Sequence, residues 1–160
     1  MEQIKNRNLT LYIGFIGLAV LLMIIGLIPI IGFIFSTAGV VFFLINQVYR
    51  IYFLYSLSID VDSVCKGDGL ESGSYVAAAA LSTLTFGLYN IYWTFKIGQR
   101  LHANAPRYGY KMVETGKDIA LLDAFSFGFI SAYELSKNLN RIAKVYNDSG
   151  LGGAVYGGVQ

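Results

Sequence analysis

Between Arg7 and Arg50 the chain has no charged residue, a run of 42 positions rich in Ile, Leu, Phe and Val. One bilayer crossing takes about 20 helical residues at about 1.5 Å rise each, so the run is long enough for two. Its weakest point is the stretch from Leu27 to Gly32, which contains Pro29. Proline cannot donate to a helix ladder and disfavours helix in the residue before it. The pattern predicts helices over about 9–28 and 31–57, joined by a tight uncharged turn. Together, residues 1–57 read as an N-terminal transmembrane helical hairpin. The run exceeds the apolar core of ~7–15 residues of a secretory leader, so the helices are read as retained. Gly32, Ser36 and Gly39 give the second helix a small-residue face suited to close helix packing. That helix ends among Tyr49, Tyr52, Phe53 and Tyr55, aromatic rings of the kind that sit at a lipid–water boundary.

A polar loop follows over 58–73, holding Asp60, Asp62, Lys66, Asp68 and Glu71. Its acidic spacing resembles a calcium loop only loosely and misses the alternating pattern that such loops use, so it reads as a solvated loop. A third uncharged run covers 72–95, small at Ala77–Ala80 and aromatic at Tyr89, Tyr92, Trp93 and Phe95. A basic linker, about 101–117, carries Arg107, Lys111 and Lys117. The next apolar segment, 119–133, is short and contains Asp123, which favours an interfacial or re-entrant segment. Then Leu135, Leu139, Ile142 and Tyr146 recur at helical spacing, opposite Lys137, Arg141 and Lys144. That is an amphipathic helix lying along a membrane or protein surface. Residues 149–160 are Gly-rich and uncharged and read as a flexible tail.

Within 74–148 a pattern recurs. Thr85-Phe86-Gly87 precedes Tyr92, Lys96 and Arg100; Ser126-Phe127-Gly128 precedes Tyr133, Lys137 and Arg141. Each pair is offset by 41 residues, which reads as a duplicated membrane-helix unit. Gly87 and Gly128 permit a backbone bend or a close helix approach. The Ser or Thr hydroxyl satisfies a carbonyl freed by the bend. Tyrosine, lysine and arginine then fall on one helix face, a candidate anchor at the interface or site for lipid head groups.

Composition agrees with this picture. The chain is 55% hydrophobic and 14% charged, against about 25% charged for soluble domains. Its mean hydropathy is +0.55. A net charge of +2 gives no argument for nucleic acid. One cysteine, Cys65, excludes an intrachain disulfide framework and a cysteine metal cluster. The lone His102 has no paired cysteine or second histidine, and no nucleophile setting, phosphate loop or dinucleotide fingerprint is present. The expectation is therefore a non-enzyme without cofactor or metal. Asn46, Asn90 and Asp123 remain as candidate intramembrane polar groups.

The stretch from Thr85 to Trp93, running on to Lys96 and Arg100, resembles a segment of an uncharacterised prokaryotic membrane family. That family is the domain of unknown function numbered four thousand two hundred and thirty-four. The segment from Lys137 to Ile142 is similar to the family's closing segment, so the resemblance covers about 75–147. The second copy departs from it, with Glu134 where the first has Trp93. The resemblance implies a membrane protein, without an activity or functional residues.

The expected fold is thus all-α and integral to the membrane: the hairpin, one or two further membrane or re-entrant helices, and an amphipathic C-terminal helix. Plain crossings from a cytoplasmic N-terminus would leave the basic 96–117 region outside, against the positive-inside tendency. A turn at Thr85–Gly87 that returns 88–101 to the cytoplasmic side removes the conflict. Two function classes follow. One is a self-associating or membrane-organising subunit, in contact with lipid and with copies of itself, in a prokaryotic cytoplasmic membrane. The other is a small channel or transporter subunit.

Overall fold

The computed structural model describes residues 9–25, 32–126 and 128–148. Among these the chain is helical, with no strand: α1 (Leu9–Ile25), α2 (Gly32–Val64), α3 (Tyr75–Leu84), α4 (Leu88–Asn104), a 3-10 turn (Ala105–Tyr108), α5 (Gly116–Ser126) and α6 (Phe129–Asp148). The expected turn around Pro29 and the glycine-rich tail lie outside the described residues.

Two compact units divide the chain inside α2, one from Asn8–Phe53 and one from Leu54 onward. In the first, α1 and the start of α2 run antiparallel. Phe15 stacks near Tyr49 at 5.7 Å between ring centroids. At the other end, a Cβ built on Gly39 would lie 3.0 Å from Met23 Cγ, so the two helices touch there. Gly32 and Ser36 fall in the first turns of α2. Most remaining large side chains of this unit, such as Leu18, Leu21, Val41, Leu44 and Val48, are exposed apolar residues. The stretch Thr37–Val64 of α2 is the one helix among the described residues that is long and apolar enough to cross a membrane.

The second unit begins with the last turns of α2, which run seven residues past the expected end at 57. The reason is a stripe missed in the sequence. Leu54, Leu57, Val61 and Val64 recur at three- and four-residue spacing and are almost wholly buried. Asp60 and Asp62 therefore sit on a helix rather than in a loop. The uncharged run 72–95 is likewise not one helix. It breaks at Thr85–Gly87, where Phe86 (φ 51°) and Gly87 (φ 90°) are left-handed. The amide of Gly87 bonds back to Ser82 O at 2.7 Å, closing α3 as a Schellman-type cap.

The chain then folds as two helical hairpins, α3–α4 and α5–α6, joined by the 3-10 turn and the 109–115 segment. Asn90 bonds Asp123 near the two turns. Gly98 packs against Ile119 and Gly116 further along. The antiparallel contact of α4 with α5 therefore places both turns at the same end of the unit. α5 starts earlier than expected because Thr115 and Asp118 form a capping box, with Thr115 N and Oγ1 each 2.8 Å from Asp118 Oδ2. Leu135, Leu139, Ile142 and Tyr146 of α6 are buried in the unit's core with Ile97, Leu101 and Ile119. The amphipathic stripe of α6 thus faces protein, the second of the two surfaces expected for it.

Candidate functional site

Arg100 was expected to reach outward to water or lipid head groups; the structure corrects this. It is 4% exposed, at the open end of the second unit, away from the hairpin turns. Its guanidinium is held as a fork. Nε donates to Asp68 Oδ2 at 2.7 Å and Nη2 to Asp68 Oδ1 at 3.0 Å. Nη2 also donates to Leu70 O at 2.5 Å, and Nη1 donates to Ser72 Oγ at 3.0 Å and to Asp62. Asn104 Nδ2 adds a donor to Asp68 at 3.1 Å. Asp62 and Asp68 of the 58–73 segment thus clasp a cation from α4. A calcium site is not needed to explain them.

The electrostatics follow the geometry. The bonds from Arg100 hold the Asp68 carboxyl down at about 2, below its usual value of 3.8. Burial alone would lower the Arg100 guanidinium, but its bonds to Asp68 and Asp62 outweigh that and raise it. Cys65 lies beneath this cluster, fully buried, with its thiol 4.0 Å from Arg100 O. Burial pushes that thiol up to about 12, so at neutral pH it is neither a nucleophile nor a labelling site.

A second polar cluster sits near the hairpin turns. Asp123 is 3% exposed. It accepts from Asn90 Nδ2 at 2.7 Å and from Ser131 Oγ. Tyr75 donates to Asn90 Oδ1 at 2.9 Å and stacks edge-on against Trp93 at 4.6 Å. Two of the three candidate intramembrane polar groups are therefore brought together and bonded to each other, tying α4, α5 and α6. The third, Asn46, is buried in the other unit, and its amide oxygen has no hydrogen-bond partner among the described residues.

The remaining anchor candidates diverge. Tyr92 is exposed and Lys96 half-buried. Lys137 pairs with Glu134 at 2.7 Å and lies 6.0 Å over the Tyr133 ring. Arg141 stays exposed but donates to Tyr110 Oη at 3.1 Å and stacks on that ring. Gly87 and Gly128 serve as left-handed turn residues (φ 90° and 83°), and a Cβ on Gly87 would meet nothing within 4 Å. The close helix approach in this unit is instead at Gly98 and Gly116, which the sequence reading missed. Their only signal is a lone glycine inside or at the head of a helix.

The two turns share more than glycine. Thr85 Oγ1 donates to Leu81 O at 2.8 Å and accepts from Tyr89 N at 3.0 Å. Ser126 Oγ donates to Leu122 O at 2.5 Å and accepts from Ile130 N at 3.0 Å. The Gly128 amide bonds Asp123 O at 3.0 Å, as Gly87 bonds Ser82 O. Every one of these partners, and the first residues of the four helices, is separated by the same 41 positions.

Chemically, the arrangement binds and braces. His102 Nδ1 meets only the carbonyl of Glu114 at 3.1 Å. Among the described residues no group of three or more His, Cys, Asp or Glu could hold a metal ion. No curated protein and no solved structure matches the chain. A family model, Domain of unknown function (DUF4234), does match, over residues 47–103. The match begins earlier than the resemblance seen at 75–147 and ends with α4, so it takes in Asp62, Asp68 and Arg100 but not the second hairpin. Over residues 47–103 the chain is thus similar to the DUF4234 family, in the second half of α2, the acidic segment and the first hairpin.

Proposed function

We propose that the protein is a non-enzymatic integral membrane protein that organises or assembles within the bilayer, associating with copies of itself. The observation that carries this reading is the apolar side of α1 and α2. Leu18, Leu21 and Ile24 on one, and Val41, Leu44, Ile45 and Val48 on the other, are exposed over stretches without charge. Such a surface is stable in lipid or against another protein, not in water. In this reading α1 and α2 form a transmembrane hairpin with its N-terminus in the cytoplasm of a prokaryotic cell. The matching turn geometry at 41-residue spacing supports a duplicated hairpin unit as its working part.

Alkaline carbonate extraction followed by sizing in mild detergent tests the proposal. The protein is expected to stay in the membrane pellet and to elute above monomer mass. Release into the supernatant overturns membrane integration, and a strictly monomeric protein that leaves liposome shape unchanged overturns assembly.

A channel or transporter subunit is the second reading, and Asn46 favours it, because its buried amide oxygen has no partner among the described residues. Asn90 and Asp123 satisfy each other and give it no support. Liposome flux that is the same for the native chain and for Asn46→Leu counts against conduction through that residue.

A further inference from the structure

We propose that the two hairpin turns are immersion tips, inserted side by side into the hydrocarbon of a single leaflet without crossing it. This rests on the membrane reading above and adds the lipid-facing surface, its depth and its side.

The tips are the most apolar exposed part of the second unit. Phe86 is 98% exposed, Leu84 76%, Leu88 68% and Phe125 80%. Leu81, Leu121, Ile130 and Tyr92 extend the patch down the same helices. Phe86 is also the one non-glycine residue among those described that holds a positive φ, at 51°. A bulky side chain in that region is strained. Here the strain projects a bare ring outward from the apex, where nothing in the unit touches it.

Several backbone groups at the tips are satisfied from within the chain, as a medium without water requires. Turns expose amides and carbonyls that lipid cannot satisfy. At the first tip Gly87 N, Leu88 N and Tyr89 N are all bonded, and the Leu81 and Ser82 carbonyls accept from Thr85 and Gly87. At the second, Gly128 N and Ile130 N are bonded, and the Leu122 and Asp123 carbonyls accept in the same way.

The most polar side chains near the tips, an amide and a carboxylate among them, are turned inward. Asn90, Asp123, Ser131 and Tyr75 bond one another in the interior. No charged residue lies between Glu71 and Lys96. The ends of the hairpins away from the tips carry the exposed charges and the Arg100 clasp. Length fits the same picture. α3 has 10 residues and α5 has 11, so each hairpin rises about 15 Å, half of a ~30 Å hydrocarbon core. Arg100 lies 12 residues past Leu88, about 18 Å from the tip at helical rise, which places its charge at the head-group level.

Spin labels test this in vesicles of phosphatidylethanolamine and phosphatidylglycerol, with single cysteines in the full chain at Phe86, Phe125, Val48 and Val113. Buried Cys65 takes no label. Labels at 86 and 125 are expected to collide with oxygen in preference to a water-soluble nickel complex, and the label at 113 the reverse. Depth at 86 and 125 should fall about 15–20 Å below the phosphates, within one leaflet. A deep label at 48 with nickel-accessible labels at 86 and 125 overturns the inference while leaving the membrane reading intact. Nickel access at 48 as well defeats the membrane reading itself. Labels at 86 that are immobile, shielded from both agents and spin-coupled between chains place a second copy, not lipid, on the tips, and also overturn it.

Discussion

Replacing Arg100 with alanine is expected to unfold the second unit at a temperature lower by about 10 °C or more in detergent. The arginine is buried and forked between two carboxylates, a hydroxyl and a carbonyl. Removing one member of a buried ion pair leaves the others desolvated and costs about 3–5 kcal/mol. Asp62 is 42% exposed on its side chain and is rehydrated when released, so the lower end, about 3 kcal/mol, is expected here. Arg100→Lys keeps the charge but loses the fork, and should recover part of the loss.

A pH signature accompanies the change. Asp68 has a folded pKa of about 2 against 3.8 ordinarily, so its contribution is complete above pH 4 and disappears as pH falls toward 2. A shift of that size corresponds to about 2 kcal/mol, reduced to roughly 1 by solvent screening at this surface site. In Arg100→Ala the acid-induced loss over that range should flatten. A thermal midpoint that moves by less than 2 °C would remove Arg100 from its structural role and restore it as an outward-facing anchor.

Gly116→Ala is expected to be of similar size by a different mechanism. A Cβ there would lie 2.6 Å from Phe95 O and 2.7 Å from both Gln99 N and Gln99 Cβ. Two of the three are backbone atoms of α4 and cannot swing aside, so α5 must shift away. Overpacking of this kind costs about 1–3 kcal/mol, occasionally more. The shift would also stretch the Asn90–Asp123 bond, which spans the same two helices. Gly98→Ala should be milder, since its contacts at 3.1–3.2 Å include the Ile119 side chain, which can adjust. Gly14→Ala, inside α1 with nothing within 4 Å, should be neutral to slightly stabilising. Thermal melts of the three variants give the ranking directly, and equal stability for Gly116→Ala and Gly14→Ala would contradict the close α4–α5 contact.

The legible part of this protein was what repeats along the chain. Helical character, the apolar first 57 residues and the turns at Thr85–Gly87 and Ser126–Gly128 all follow from local spacing. So does the start of α4 at Leu88, whereas α6 begins at Phe129, inside the 119–133 stretch that was expected to be one segment. What local spacing does not carry is the identity of partners brought together by folding. Lys96 and Arg100 look alike on a helical wheel, yet only Arg100 faces two aspartates, and those come from α2 and the loop after it, more than thirty residues away. The end of α2 was misplaced because Asp60 and Asp62 read as loop signals, while the stripe of Leu54, Leu57, Val61 and Val64 carried the helix through them. Gly98 and Gly116 were overlooked because a glycine matters there only through the helix packed against it.

The central claim is that the first hairpin, α3–α4, enters the membrane and returns to the side it left. Sided thiol labelling in intact cells tests it most directly. Glu71→Cys marks the chain before α3 and Val113→Cys marks it after α4; both are exposed sites without a left-handed backbone, unlike Gly109 (φ 65°). Native Cys65 is silent. The account predicts that neither cysteine reacts with an impermeant maleimide until the cytoplasmic face is opened, and that both then react. Labelling of the two from opposite faces would mean that the first hairpin spans the bilayer, and would contradict the account.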